Sequence, residues 1–199
     1  MVDAAVARAF AEGRVPANIT YLTPEYLSES RDPPAIVAII VVLALATLFV
    51  ALRCYSRICL VKSFGLDDSL ALCSYVCLIA FVVLSIILIE QGSGRHIEYI
   101  QYVLTQAQTD STEVNDFAAH LIYTSALFLC RLSGLAFFHR LCLRHQPLLR
   151  VIRAAAVFLV CAFLPQFFLI LVHCRPVTGL WPYAWQPNAD KYKCVTWVR

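Results

Sequence analysis

In a chain of 199 residues, 60% are hydrophobic and only 15% charged, against about 25% charged in a soluble domain. So little polar surface excludes a water-soluble fold and leaves length for one membrane bundle and no separate soluble domain. The formal net charge of +3 comes from arginines interleaved with apolar runs, which excludes a nucleic-acid surface.

Residues 1–34 read as a polar N-terminal tail. Ala5–Glu12 suits a short helix, and Pro16, Pro24, Pro33 and Pro34 interrupt the rest. Arg8, Arg14 and several acids stand where a signal peptide needs an apolar core, so no cleavable leader is expected and the first span serves as an uncleaved anchor. Asn18-Ile19-Thr20 is an N-glycosylation sequon within the tail.

Four apolar runs follow: Ala35–Leu52, Ser69–Ile89, Phe117–Phe138 and Ala154–Val172. Each approaches the roughly 20 residues that carry a helix across a bilayer core. The expected fold is therefore all-α, a polytopic transmembrane helical bundle of about four spans. The spanning region is 35–173, between the 1–34 tail and a 174–199 tail.

The first span ends at Arg53-Cys54-Tyr55-Ser56-Arg57. Arg53 and Arg57 lie one helical turn apart and suit the phosphate layer. The second opens with Gly65-Leu66-Asp67-Asp68-Ser69. Asp67, Asp68 or Ser69 is placed to cap it, and acids there favour the positive end of its dipole. The two aspartates are also candidates to pair with Arg53, Arg57 or the arginines after the third span. Gly92-Ser93-Gly94-Arg95-His96 marks a tight turn, and residues 97–116 read as an irregular or interfacial segment.

The third span contains His120 and a deep Arg131. An intramembrane arginine costs roughly 2.5–3.5 kcal/mol on insertion scales and usually faces helices or a cavity. Asp67 or Asp68 is its candidate partner, and Ser133-Gly134 permits close helix approach. The fourth span carries Pro165-Gln166, a kink and a polar contact. Beyond it, Trp181, Tyr183, Trp185, Tyr192 and Trp197 read as an interfacial belt.

Loop charges suggest an orientation. Arg53, Arg57 and Lys62 follow the first span, and Arg140, Arg144, Arg150 and Arg153 follow the third. The loop between spans two and three is acidic, with Glu90, Glu98, Asp110, Glu113 and Asp116 against Arg95. Basic short loops remain cytosolic, which puts the N-terminus on the luminal or extracellular side of a plasma or internal membrane. The C-terminal tail dissents, with Arg175, Lys191, Lys193 and Arg199 against Asp190. Of nine cysteines, Cys73, Cys77, Cys130 and Cys161 read as small buried apolar residues, and Cys54, Cys59 and Cys142 as interfacial thiols open to acylation. Cys174 and Cys194 fall in the luminal tail, where disulfides survive, and are the preferred pair.

Signals for catalysis are poor. Five histidines are scattered, there is no Cys-x-x-Cys pair, and no glycine-rich phosphate loop is present. Asp67-Asp68 matches half of an aspartate-rich metal motif without a third acid. No catalytic, metal or cofactor residue is assigned, and the balance lies against an enzyme.

Taken in order, several motifs resemble one family. Arg53-Cys54-Tyr55-Ser56-Arg57, Gly65-Leu66-Asp67-Asp68, Gly92-Ser93-Gly94-Arg95-His96, Leu121-Ile122-Tyr123 with Arg131-Leu132-Ser133, Phe138-His139-Arg140-Leu141, and Cys174-Arg175-Pro176-Val177 with Trp181 and Cys194 are similar to signposts of fungal integral membrane proteins with a rhodopsin-like domain. That family includes receptor-like proteins and membrane proteins of satratoxin-type mycotoxin clusters. The resemblance implies half of a seven-helix fold, hence an apparently truncated member. Arg131 stands where the family commonly carries lysine. No span holds a lysine for a retinal Schiff base. The implied role is an accessory membrane component of a secondary-metabolite pathway. The alternatives are a G-protein-coupled-receptor-like sensor or a non-functional fragment of one, and a small membrane enzyme such as a cyclase using Asp67, Asp68 or His120. Expected partners are the lipid bilayer and other membrane or pathway proteins. Arg53, Arg57, Asp67, Asp68, His96 and Arg131 are the candidate polar site residues.

Overall fold

A computed structural model describes residues 3–16, 18–180, 182–183, 185–186 and 189–194; Trp181, Trp197 and Arg199 lie outside them. Among the described residues, four helices are long and apolar enough to cross a membrane. They are α3 (Asp32–Tyr55), α4 (Leu66–Leu88), α6 (Gln106–Leu141) and α7 (Gln146–Leu171). Short helices α1 (Ala4–Ala11), α2 (Pro24–Ser28) and α5 (Ile97–Tyr102) precede or separate them in the chain, and two two-residue strands, β1 (Cys174–Arg175) and β2 (Lys193–Cys194), pair antiparallel. The fold is all-α and polytopic.

The span ends reflect local chemistry. Pro33 and Pro34 sit in the first turn of α3, where proline costs no hydrogen bond. In α4 the Asp68 carboxylate accepts from the Gly65 N–H at 3.1 Å, closing the helix start. Helix α7 runs unbroken through Pro165. The largest departure from expectation lies in residues 97–116, which are not irregular. They form α5 and the first turns of α6, a 36-residue helix about 54 Å long. Thr105-x-x-Gln108 starts it with half of a capping box: the Gln108 amide oxygen accepts from the Thr105 N–H at 3.0 Å and from the Thr105 hydroxyl at 2.9 Å.

The chain divides into two compact units. The first comprises the described residues of Met1–Ile39, Leu84–Phe117 and Cys174–Arg199. Its core joins Val6, Ala9, Val15, Leu22 and Leu27 to Tyr99 and Val103. The N-terminal tail is therefore folded on α5 and is not a loose polar segment. Apolar residues of α1 and α2 are half a core each, and burial against Tyr99 supplies the rest.

The second unit comprises Ile40–Val83 and Ala118–His173. Its helices meet through polar and aromatic contacts suited to a medium without water. Ser74 Oγ donates to the Ala126 carbonyl at 3.0 Å, Thr47 and Tyr75 hydroxyls lie 2.7 Å apart, and Phe128 stacks on Phe163 at 4.2 Å. Apolar side chains still face outward: Phe49 on α3 is 68% exposed and Phe158 on α7 is 73% exposed. A lipid solvent makes such faces stable, so these helices fit contact with the bilayer. The cysteines follow the same rule: Cys73, Cys130 and Cys161 are exposed, not buried as expected. A Cβ added at Gly134 would meet no described atom within 4 Å; Ser133, not the glycine, makes the close helix contact.

Candidate functional site

Asp67 and Asp68 in the first turn of α4 form the polar centre of the second unit. They are 3% and 2% exposed. The period that puts Arg53 and Arg57 one turn apart on and beyond α3 lets both reach them. Arg53 donates through Nε to Asp68 at 2.9 Å and through Nη2 to Asp67 at 2.9 Å. Arg57 Nη2 reaches Asp67 at 3.2 Å, and its Nε lies 3.4 Å from Asp68.

The third cation is Arg140, near the C-terminus of α6, 3.4 Å from the other Asp67 oxygen. Arg140 also donates to the Ser63 carbonyl at 3.4 Å and to the Ser63 hydroxyl. Ser133 Oγ donates to the Asp67 carbonyl at 2.7 Å. Phe137 lies under Arg53 and Arg57, its ring centre 5.6 and 5.5 Å from their guanidinium carbons. Gly65 leaves room for this network: a Cβ there would stand 2.6 Å from Asp67 Oδ1 and 2.8 Å from Arg140 Nη1, so those side-chain ends would have to shift.

Such an arrangement holds helices. Two carboxylates stripped of water are compensated by three guanidiniums and by the Gly65 N–H at the helix start, the condition under which a buried ion network is tolerated. Arg131 does not join it. It is exposed and forms no ion pair among the described residues; Arg140, two to three turns later, holds the place expected for it at Asp67. Arg131 instead lines a cavity of about 140 Å³ with Thr124, Phe128, Phe163 and Gln166.

In the first unit, Arg95 joins Asp3, lies 3.6 Å from Asp32, and sits 4.4 Å over the Tyr99 ring. Its hydrogen bond holds the Asp3 carboxyl below its ordinary value. His96 stacks on Tyr26 at 4.1 Å and reaches Glu29 at 3.3 Å. Cys174 and Cys194 are joined by a disulfide across the β1–β2 pair. Asn18 and Thr20 are exposed.

The same unit contains a cavity of about 290 Å³, which sequence reasoning missed. Thr109, Thr112, Glu113 and Asp116 line it at i, i+3, i+4 and i+7, one face of a helix. That signal becomes legible once Thr105-x-x-Gln108 is read as a helix start.

A family model described as the fungal rhodopsin domain matches residues 52–198. No curated protein and no solved structure matches the chain.

Proposed function

The chain belongs to the fungal rhodopsin domain family, and from that premise we propose that it is an accessory, non-catalytic membrane component of a secondary-metabolite pathway of the mycotoxin type. The observation carrying the non-catalytic reading is the Arg53–Arg57–Asp67–Asp68–Arg140 network. These acids and cations are engaged with one another and with helix ends, as structural charges are. The pathway role rests on the resemblance of its motifs to membrane proteins of satratoxin-type clusters.

In this reading the N-terminus and the Cys174–Cys194 pair face the lumen or exterior. The basic segments after α3 and α6 support that orientation, and a disulfide suits an oxidising compartment. An exposed Asn18 is then a glycosylation site. Deleting the gene in its host, with metabolite profiling by mass spectrometry, tests the role. Loss or accumulation of a compound is expected. An unchanged profile under producing conditions would refute it and turn attention to a surface sensor, whose own requirement is arrival at the plasma membrane. Turnover of pathway intermediates by microsomes containing the protein would instead make it an enzyme.

A further inference from the structure

Helix α6 presents Thr109, Thr112, Glu113 and Asp116 to the 290 Å³ cavity of the first unit. Glu113 is 8% exposed and fixed in place: Gln186 Nε2 donates to it at 2.7 Å. The same Gln186 accepts the Tyr183 N–H at 2.8 Å through its Oε1. One side chain thereby sets both a carboxylate and an aromatic residue at the cavity wall. Tyr183 in turn stacks on Trp185 at 5.4 Å, which steadies its ring.

The lining includes no lysine, arginine or histidine among the described residues. At the Tyr183 phenol the field is negative. Burial first, then the charges of Glu113 and Asp116, push that group above its ordinary value. A field that opposes a phenolate favours a cation. Leu88 and Ile100 add an apolar wall, which a bare metal ion does not use. The volume is at the small end of ligand sites.

We propose that this cavity binds a small organic cation, an amine or quaternary ammonium group on a compact apolar body, with Glu113 and Asp116 meeting the charge and Tyr183 offering its ring. The proposal goes beyond the pathway reading and stands whether or not gene deletion alters metabolites. The same chemistry is carried by soluble amines and by choline headgroups of lipid.

The test uses the purified full chain in maltoside micelles, titrated with benzylamine and with uncharged benzyl alcohol of the same shape. Benzylamine should raise the unfolding midpoint saturably and bind at least about tenfold more tightly than the alcohol. Asp116→Asn should weaken benzylamine about tenfold while leaving the Glu113–Gln186 bond intact. Tyr183→Phe should preserve binding, and Tyr183→Leu should reduce it. Equal affinity for amine and alcohol, unchanged affinity in a folded Asp116→Asn variant, or larger stabilisation by calcium alone would overturn the proposal. Repeating the titration in phosphatidylcholine nanodiscs separates the sources. Weaker benzylamine binding there identifies the choline headgroup as occupant, and equal binding identifies a soluble amine.

Discussion

Asp67 gathers several charged neighbours at once: Arg53, Arg57 and Arg140 all reach its carboxylate, and Ser133 reaches its carbonyl. Asp67→Ala should destabilise the second unit by about 3 kcal/mol, the lower end for a broken buried network, because the freed arginines reach polar surroundings. A thermal midpoint in detergent within a degree of the parent would show that the network is not structural. Arg131→Leu offers the contrast. With no ion pair to lose among the described residues, it should change stability by no more than about 0.5 kcal/mol, read by the same melt. Gly92 is a third case. Its φ of +102° and the Tyr99 ring 3.0 Å from a Cβ position exclude a side chain. Gly92→Ala should cost about 1–3 kcal/mol, measured as a drop in midpoint. Gly92 was legible as a turn residue, but the ring it must clear lies seven positions away and was not.

At the scale of elements, α6 gains its first turns from a cap that binary patterning passes over. Residues 106–116 are too polar to register as a span, and the apolar run beginning near Phe117 marks only the part that lipid or neighbouring helices require. Gln108→Ala should cost about 1 kcal/mol and raise amide exchange selectively in the first turn of α6; uniform protection would argue against the cap. Docking of α1 carries a pH dependence. Asp3 in the folded chain titrates below its ordinary 3.8, held there by Arg95. A lowered carboxylate pKa contributes stability above the unfolded value and loses it as pH falls through the folded one. Protection factors in α1 should therefore fall on acidification below pH 3.8. Arg95→Leu should weaken that dependence, leaving the smaller part that the Ala5 N–H sustains, and an undiminished dependence would assign the effect elsewhere.

For the whole molecule, the membrane is the solvent that reconciles its surface with its stability. Faces of α3 and α7 that leave Phe49 and Phe158 mostly exposed would drive aggregation in water and are satisfied in lipid. The proposed orientation places Asn18 outside the cytosol. Expression in a eukaryotic host should give a species that migrates faster after glycosidase treatment, and Asn18→Gln should match the treated form. An unglycosylated Asn18 accompanied by protease cleavage of the N-terminal segment only from the cytosolic side would reverse the topology.

Hydropathy alone determined that this chain spans a membrane about four times, because a helix core of some 20 apolar residues has few other fates. Local motifs likewise placed Arg53, Arg57, Asp67 and Asp68 at neighbouring helix ends, since one-turn spacing and dipole preference are short-range effects. Tertiary structure decided which arginine Asp67 meets. Arg131 and Arg140 are equal candidates by charge, and only the register of α6 against α4, set by Ser133 on the Asp67 carbonyl, selects Arg140. It also decided that the N-terminal segment folds on Tyr99 and Val103, and that Glu113, Asp116 and Tyr183 line one cavity. Those outcomes depend on burial between residues some 70 to 100 positions apart, and no local propensity encodes it.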